Sequence, residues 1–375
     1  MINQDVKLSI IIPTKNRYNC LIPVVESILT NINRLDFEIV IQDNSDFNEE
    51  VISFIDKNKK DSRIKYFYTK HSIPISENTI KAIDNSSGKY LCFIGDDDMV
   101  CSDICDIVDD LESKNIECLI YNAGYYWWDS VKFEKKDHYH DNKNLWLPKN
   151  KSKDLIKLNS NIELEKTLKK GAVQYYSLPR FYHGIVRKNV LDKIKLKVGT
   201  YLPASCPDMS FAVSISLVID DYYYMNYPVS IFGASKNSGG GMTAEKKHYG
   251  KIEDMEFLKK DILNYWPEFI PKIWSQKTIY PQTTYEVLTK FSIQKKINFI
   301  SFFASMLANE PYLWRFLVNP IFSYCKFNIL KYFILFFEIL KKYFGILLKK
   351  KKTYFKELNF DVIKNVNPSE MIKIN

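Results

Sequence analysis

The stretch FIGDDDMV carries Phe93, Ile94 and Gly95 into three consecutive aspartates, Asp96, Asp97 and Asp98. Carboxylates crowded in this way raise one another's cost of ionisation. A hard divalent cation removes that cost: Mg2+ or Mn2+ accepts oxygens from carboxylates and bridges them to phosphate oxygens. The structural alternative is an acidic turn after a strand, with Asp98 capping the helix that SDICDIVDD forms. A second acid, Asp208 in SCPDMSFAV, stands where a helix begins. It can serve as a general base or simply complement the helix dipole. Further on, KNSGGGMTAEKKHYG places Gly239, Gly240 and Gly241 ahead of Lys246, Lys247 and His248. The glycines predict an irregular, opening and closing segment. His248 can ligate a metal or touch a diphosphate that the lysines neutralise, and a plain solvent loop is the alternative.

The elements that must hold these groups alternate. VKLSIIIPT is an apolar run ended by a proline, as in a strand covered on both faces. NRYNCLIPVVESILTNI follows at helical spacing, and FEIVIQDNSD is a second buried strand. The pattern continues through RIKYFYT, TIKAIDNSS and KYLCFIGD. Right-handed crossovers gather the carboxyl ends of such strands on one edge of the sheet, and ligands bind at that edge. Pro13 to Arg17, Asp43 to Ser45 and Asp96 to Asp98 all fall there. Beyond residue 100, ECLIYNAGYYWW reads as one strand, about 131–157 as a charged loop, and FYHGIVRKNVLDKI as strand then helix. From about residue 252 only helices are expected.

LSIIIPTKNR, FEIVIQDNSD and ISENTIKAIDNSSGKYLCFIGDDD, in that order and spacing, resemble the family 2 glycosyltransferases of the GT-A fold, of the bacterial capsule and O-antigen type. The resemblance implies an α/β fold with a Rossmann-like, mainly parallel central sheet flanked by helices. No GxGxxG follows the first strand, which disfavours a generic dinucleotide fold. The resemblance further implies that Pro13 and Thr14 contact the nucleoside, with Asn16 and Arg17 beside them, and that Asp43 reads the base edge. Asp96 and Asp98 form the DxD that holds metal and diphosphate, with Asp97 between them on the nucleotide and His248 as a further ligand. Asn78 stands in the diphosphate loop, preceded by Glu77 where the family often has arginine. Asp208 is the base, with Pro207 replacing the first acid of the family's usual pair. His183 is a lesser candidate, and the aromatic run Tyr125 to Trp128 either stacks on a sugar or packs in the core.

These residues predict an inverting, metal-dependent transferase using Mn2+ or Mg2+. It would move a hexosyl or N-acetylhexosaminyl group from a nucleotide-sugar, a UDP-sugar, to a saccharide or lipid-linked saccharide. A nucleotidyltransferase lacks support because its glycine- and lysine-rich first turn is absent. A non-catalytic membrane scaffold is the reading from outside enzymology.

The 375 residues are 46% hydrophobic and 26% charged, which is globular composition rather than disorder. Residues 1–250 are expected as the catalytic domain and 251–375 as an all-helical extension. The seven cysteines show no paired zinc spacing, and with no signal region read at the N-terminus the chain is placed in a reducing cytoplasm. The net charge of +9 is concentrated late, in KKYFGILLKKKKTYFK, so no nucleic-acid partner is expected. In the helix near 328–350 the polar positions, Lys331, Glu338, Lys341, Lys342, Gly345 and Lys349, share one arc. The expectation is peripheral attachment to the inner face of the cell membrane, apolar face in lipid and lysines toward anionic headgroups. Packing back on the catalytic domain is the alternative.

Overall fold

The computed structural model describes residues 5–133, 140–245, 250–255, 258, 261–356 and 360–373. In chain order the first half contains β1 (Leu8–Thr14), α1 (Tyr18–Asn31), β2 (Phe37–Asp43), α2 (Glu49–Lys57), β3 (Ile64–Tyr68), α3 (Ile75–Asp84), β4 (Tyr90–Phe93), β5 (Met99–Val100), α4 (Ile104–Ser113), β6 (Cys118–Tyr121) and β7 (Gly124–Trp127). Next come β8 (Leu145–Pro148), β9 (Leu155–Asn159), α5 (Ser160–Lys169), β10 (Gly184–Arg187), α6 (Lys188–Val198), α7 (Pro207–Ser216), β11 (Asp221–Met225), β12 (Ser230–Ala234) and α8 (Gly239–Ala244). The remainder holds β13 (Gly250–Lys251), β14 (Ile273–Trp274), α9 (Gln276–Lys290), α10 (Phe299–Asn309), α11 (Trp314–Cys325), α12 (Ile329–Lys356) and β15 (Phe360–Ile363).

An eight-stranded sheet runs β3-β2-β1-β4-β10-β6-β11-β9. Its first four strands are parallel, β10 lies antiparallel between β4 and β6, and β11 returns parallel to β6. The run LSIIIPT is explained by burial on both faces. Ile10 and Ile12 enter one core cluster, while Ile11, one residue out of phase, enters another on the opposite side. β2 divides in the same way, with Ile39 and Ile41 opposite Val40. The β1–β2 register sets Thr14 beside Asp43, at the edge where β4 ends before the aspartates.

A second sheet, β15-β8-β7-β12-β5, carries β12 alongside the aspartate turn. Here the structure departs from the sequence expectations. ECLIYNAGYYWW divides into β6 and β7, and the expected loop 131–157 contains β8. The region after residue 252 is largely helical, yet β14 pairs with β13, and β15 pairs with β8 of the catalytic half. The segment that was to be irregular forms α8, because the Ser238 hydroxyl accepts from Gly241 N and caps it. A third core cluster joins Leu164, Met209 and Val213 to Ile279, Phe302, Leu317 and Leu335, so packing runs continuously across residue 250.

Candidate active site

Each of the three aspartates has its own partners. Asp98 is fully buried, and its Oδ2 accepts from Gly95 N at 2.7 Å and from the Tyr182 hydroxyl at 2.8 Å, and faces His183 Nε2 at 2.9 Å. Its Oδ1 accepts from Gly233 N at 2.7 Å. Burial opposes the charge, but His183 and these donors outweigh it and hold the carboxyl below the usual carboxylate range. Asp96 accepts from the Thr14 hydroxyl at 2.6 Å and pairs with the Arg17 guanidinium through both oxygens. Burial nevertheless pushes its pKa up, against the pull of Arg17 and with the repulsion of Asp97. The contacts of Asp97 converge on Oδ2: Ser235 N at 2.9 Å, the Ser235 hydroxyl at 2.7 Å and Arg17 Nη1 at 3.4 Å.

This geometry redistributes the roles expected of the triplet. Asp98, expected with Asp96 and His248 as a metal ligand, has both oxygens turned into donors of its own chain. Asp97, expected only on the nucleotide, gathers its bonds on one oxygen. Among the described residues, no three His, Cys, Asp or Glu side chains are grouped to hold a metal ion. Mg2+, however, is commonly bound by one or two carboxylates and completed by substrate phosphates and water. Asp97 Oδ1 takes part in none of the bonds just given, whereas both Asp98 oxygens accept from the chain. His248, Lys246 and Lys247 lie outside the described residues.

The turn depends on one glycine. A Cβ on Gly233 would stand 1.6 Å from the Asp97 carbonyl oxygen, so β12 reaches the turn only without a side chain there. Trp128 Nε1 donates to that same oxygen at 2.8 Å, which gives this member of the aromatic run a positioning role. Its neighbour Tyr125 stacks on Phe232 with ring centroids 5.5 Å apart.

At the nucleoside end, Asp43 is buried with its carboxylate already engaged. The hydroxyls of Tyr18 and Tyr66 reach Oδ2 at 2.7 and 2.8 Å, and Ser45 N reaches Oδ1 at 2.8 Å. Asn16 adopts φ 58° and exchanges side-chain bonds with Asp46. Pro13 lies half-buried in β1 opposite Gln42. Asn78 donates to the Gln42 carbonyl at 3.1 Å, and its own Oδ1 is buried with no hydrogen-bond partner among the described residues.

Asp208 contrasts with all of these. It is half-buried in the first turn of α7, and its one side-chain partner is the Tyr175 hydroxyl at 3.3 Å. Burial pushes its carboxyl up to about 6; the Tyr175 bond works the other way and the charge of Asp98 adds to the rise. Tyr175 packs against Tyr176 and Tyr280, placing aromatic faces around the acid.

Sequence reasoning missed Tyr175, Tyr182, Ser235 and Gly233, and ranked His183 too low. Only Gly233 left a signal, as a lone glycine inside a strand pattern. The rest are ordinary residues on segments far apart in sequence.

The family match falls on the part of the chain that holds the triplet. Residues 9–173 match the family model described as Glycosyl transferase family 2. An uncharacterized glycosyltransferase of Rickettsia bellii is 41% identical over 96 residues, 26% of this chain and 14% of that protein. The GalNAc(5)-diNAcBac-PP-undecaprenol beta-1,3-glucosyltransferase of Campylobacter jejuni is 35% identical over 99 residues, 26% of this chain and 31% of that one. The chain thus spans under a third of these curated relatives. Among solved structures, S. aureus TarS 1–349 in complex with UDP-GlcNAc is similar at 16% identity and TM-score 0.48, covering 85% of this chain and 81% of that one. Residues 9–173, under half of the chain, carry the three motifs on an α/β sheet and match glycosyltransferase family 2.

Proposed function

We propose that the protein is an inverting glycosyltransferase that moves one sugar from a nucleotide-sugar, a UDP-sugar, to a lipid-linked or growing polysaccharide acceptor. The setting is bacterial surface glycan synthesis at the inner face of the cell membrane, reached through the helix near 328–350. The observation that carries the reading is Asp208, a weakly partnered acid lifted to about 6 near Asp98, whose charge is held by its own donors. A base needs a pKa near the working pH. Asp208 takes the proton of the acceptor hydroxyl as that oxygen attacks the anomeric carbon. The bond from that carbon to the diphosphate oxygen breaks on the opposite face, and its electron pair leaves with the nucleoside diphosphate.

Thr14, Arg17 and Asp43 line the donor end, and the unpartnered Asn78 Oδ1 supplies an acceptor there. Mn2+ or Mg2+, when bound, would sit at Asp97 and supply positive charge to the leaving diphosphate. The Campylobacter relative is named for a PP-undecaprenol-linked acceptor, which supports a lipid-linked saccharide here.

In the test, wild type and Asp208→Asn are mixed with UDP-, GDP-, dTDP- and CMP-sugars plus Mn2+. The variant is expected to keep donor-dependent thermal stabilisation and to lose about 10²–10⁴-fold in transfer. Full turnover by the variant removes the base assignment. Absence of stabilisation of the wild type by any donor removes the transferase reading.

A further inference from the structure

α12 docks on the protein partly through its polar arc and leaves outward the apolar face that the sequence pattern places in lipid. Leu335 is buried against the helical core, and α12 packs on α10. The polar arc turns partly inward with Leu335: Lys331 donates to the Tyr324 carbonyl at 3.0 Å and lies over the Tyr324 ring, and Lys342 is half-buried beside Glu338. The outward face is apolar. Phe333, Phe336, Phe337 and Phe344 are 55–64% exposed, and Ile329, Leu330 and Leu348 stand out with them.

α11 repeats the arrangement. Leu317 and Pro320 face the core, while Trp314, Phe316 and Phe322 are more than half exposed. At roughly 200 Å² per aromatic side chain, the two helices expose on the order of 1,000 Å² of apolar surface, against ~300–600 Å² for the largest patch of an ordinary monomer. Among the described residues no helix is long and apolar enough to cross a membrane. Cations border the surface: Arg315 and Lys326 are exposed, and Lys341 and Lys342 are joined by Lys170 from the end of α5. Burial lowers the pKa of Lys342, Glu338 opposes this, and Lys341 and Lys170 lower it further. The apolar area therefore has a positive rim to which the catalytic half contributes.

We infer that α11 and α12 together form a two-helix wedge that seats the protein on an anionic bilayer, with Phe316 and Phe322 of α11 entering the lipid beside Phe333 and Phe337 of α12 and the lysine cluster on the headgroups. The inference rests on the proposed membrane attachment through the helix near 328–350 and adds the second helix that takes part. The partner is a lipid surface because the apolar face and its cationic rim complement acyl chains and anionic phosphates together. The wedge shares the core of Met209 and Val213 on α7, so seating it fixes the helix that carries Asp208 relative to the membrane.

Truncation is an unsuitable test, because β15 and Val366 lie downstream and pack on the catalytic half; the Tyr126 hydroxyl donates to the Val366 carbonyl at 2.8 Å. Full-length protein is instead floated with vesicles of phosphatidylcholine, alone or mixed with phosphatidylglycerol. Wild type is expected on the mixed vesicles. Phe316→Ser/Phe322→Ser and Phe333→Ser/Phe337→Ser are each expected to lower partitioning at least ~10-fold, and Lys341→Gln/Lys342→Gln to remove the preference for phosphatidylglycerol. Wild-type partitioning by the α11 variant overturns the two-helix wedge. Wild type that ignores vesicles, or forms a dimer in their absence that vesicles do not dissociate, overturns the lipid partner. Donor-dependent thermal stabilisation is measured on every variant and is expected to be unchanged, so failure of the donor reading shows separately from failure of this one.

Discussion

Asp98 in the aspartate turn and Asp208 in the first turn of α7 are the same side chain treated in opposite ways. At Asp98, burial is answered by two backbone amides, a tyrosine hydroxyl and an imidazole, and the carboxyl is held low. At Asp208, burial is answered by a 3.3 Å side-chain bond, a backbone bond and the charge of Arg180, which do not offset it, and the carboxyl rises to about 6. A fully satisfied carboxylate is an anchor of fixed charge, whereas an under-satisfied one can exchange a proton near neutral pH. Environment, not residue type, divides the two roles.

The contrast is broken most severely at Gly233. In Gly233→Ala the new Cβ meets the Asp97 carbonyl oxygen, so β12 must withdraw and take its bonds to Asp97 and Asp98 with it. A loss above ~4 kcal/mol is expected, in the range reserved for disrupted buried networks, and denaturant melts measure it. Stability within about 1 kcal/mol of wild type would show that the turn is held by other contacts.

A smaller break is Arg17→Ala. It strips the positive partner from Asp97 and from Asp96, whose carboxyl is already raised to about 7 and rises further without it. Breaking a buried ion pair costs about 3–5 kcal/mol; with 21% of the Arg17 side chain exposed, solvent screening reduces the expected loss to ~2 kcal/mol. Weaker donor stabilisation in the thermal-shift panel should accompany it. An unchanged melt would mean that Thr14 and Ser235 already satisfy the turn.

The legibility of the two regions differs for a related reason. The aspartate turn announces itself because its members adjoin in sequence and follow a buried strand, so Asp96–Asp98, Thr14 and Asp43 were readable together with the parallel sheet. What neutralises them was not, since His183, Gly233 and Ser235 arrive from strands and loops remote in the chain. The glycine run misled for a local reason: Ser238 supplies a cap that glycine composition does not advertise. In α12 periodicity gave the apolar face, but not which face would meet protein, because that depends on where α10 lies.

The finest test concerns the Tyr175 bond, the largest of the interactions that moderate Asp208. The Tyr175 hydroxyl favours the ionised acid, so Tyr175→Phe should raise the Asp208 pKa above about 6. A 3.3 Å bond is a weak one, worth about 0.5 kcal/mol, or ~0.4 in pKa. Transfer requires the ionised base, so its rate falls as pH drops through that value and levels off above it. In the variant the acidic limb moves to higher pH. Turnover near pH 6 and below drops by up to about 2.5-fold, while the plateau above pH 8 is unchanged. A structural role for Tyr175 would instead lower the plateau and leave the midpoint in place, so a full pH profile of the two proteins separates a tuned base from a packing contact.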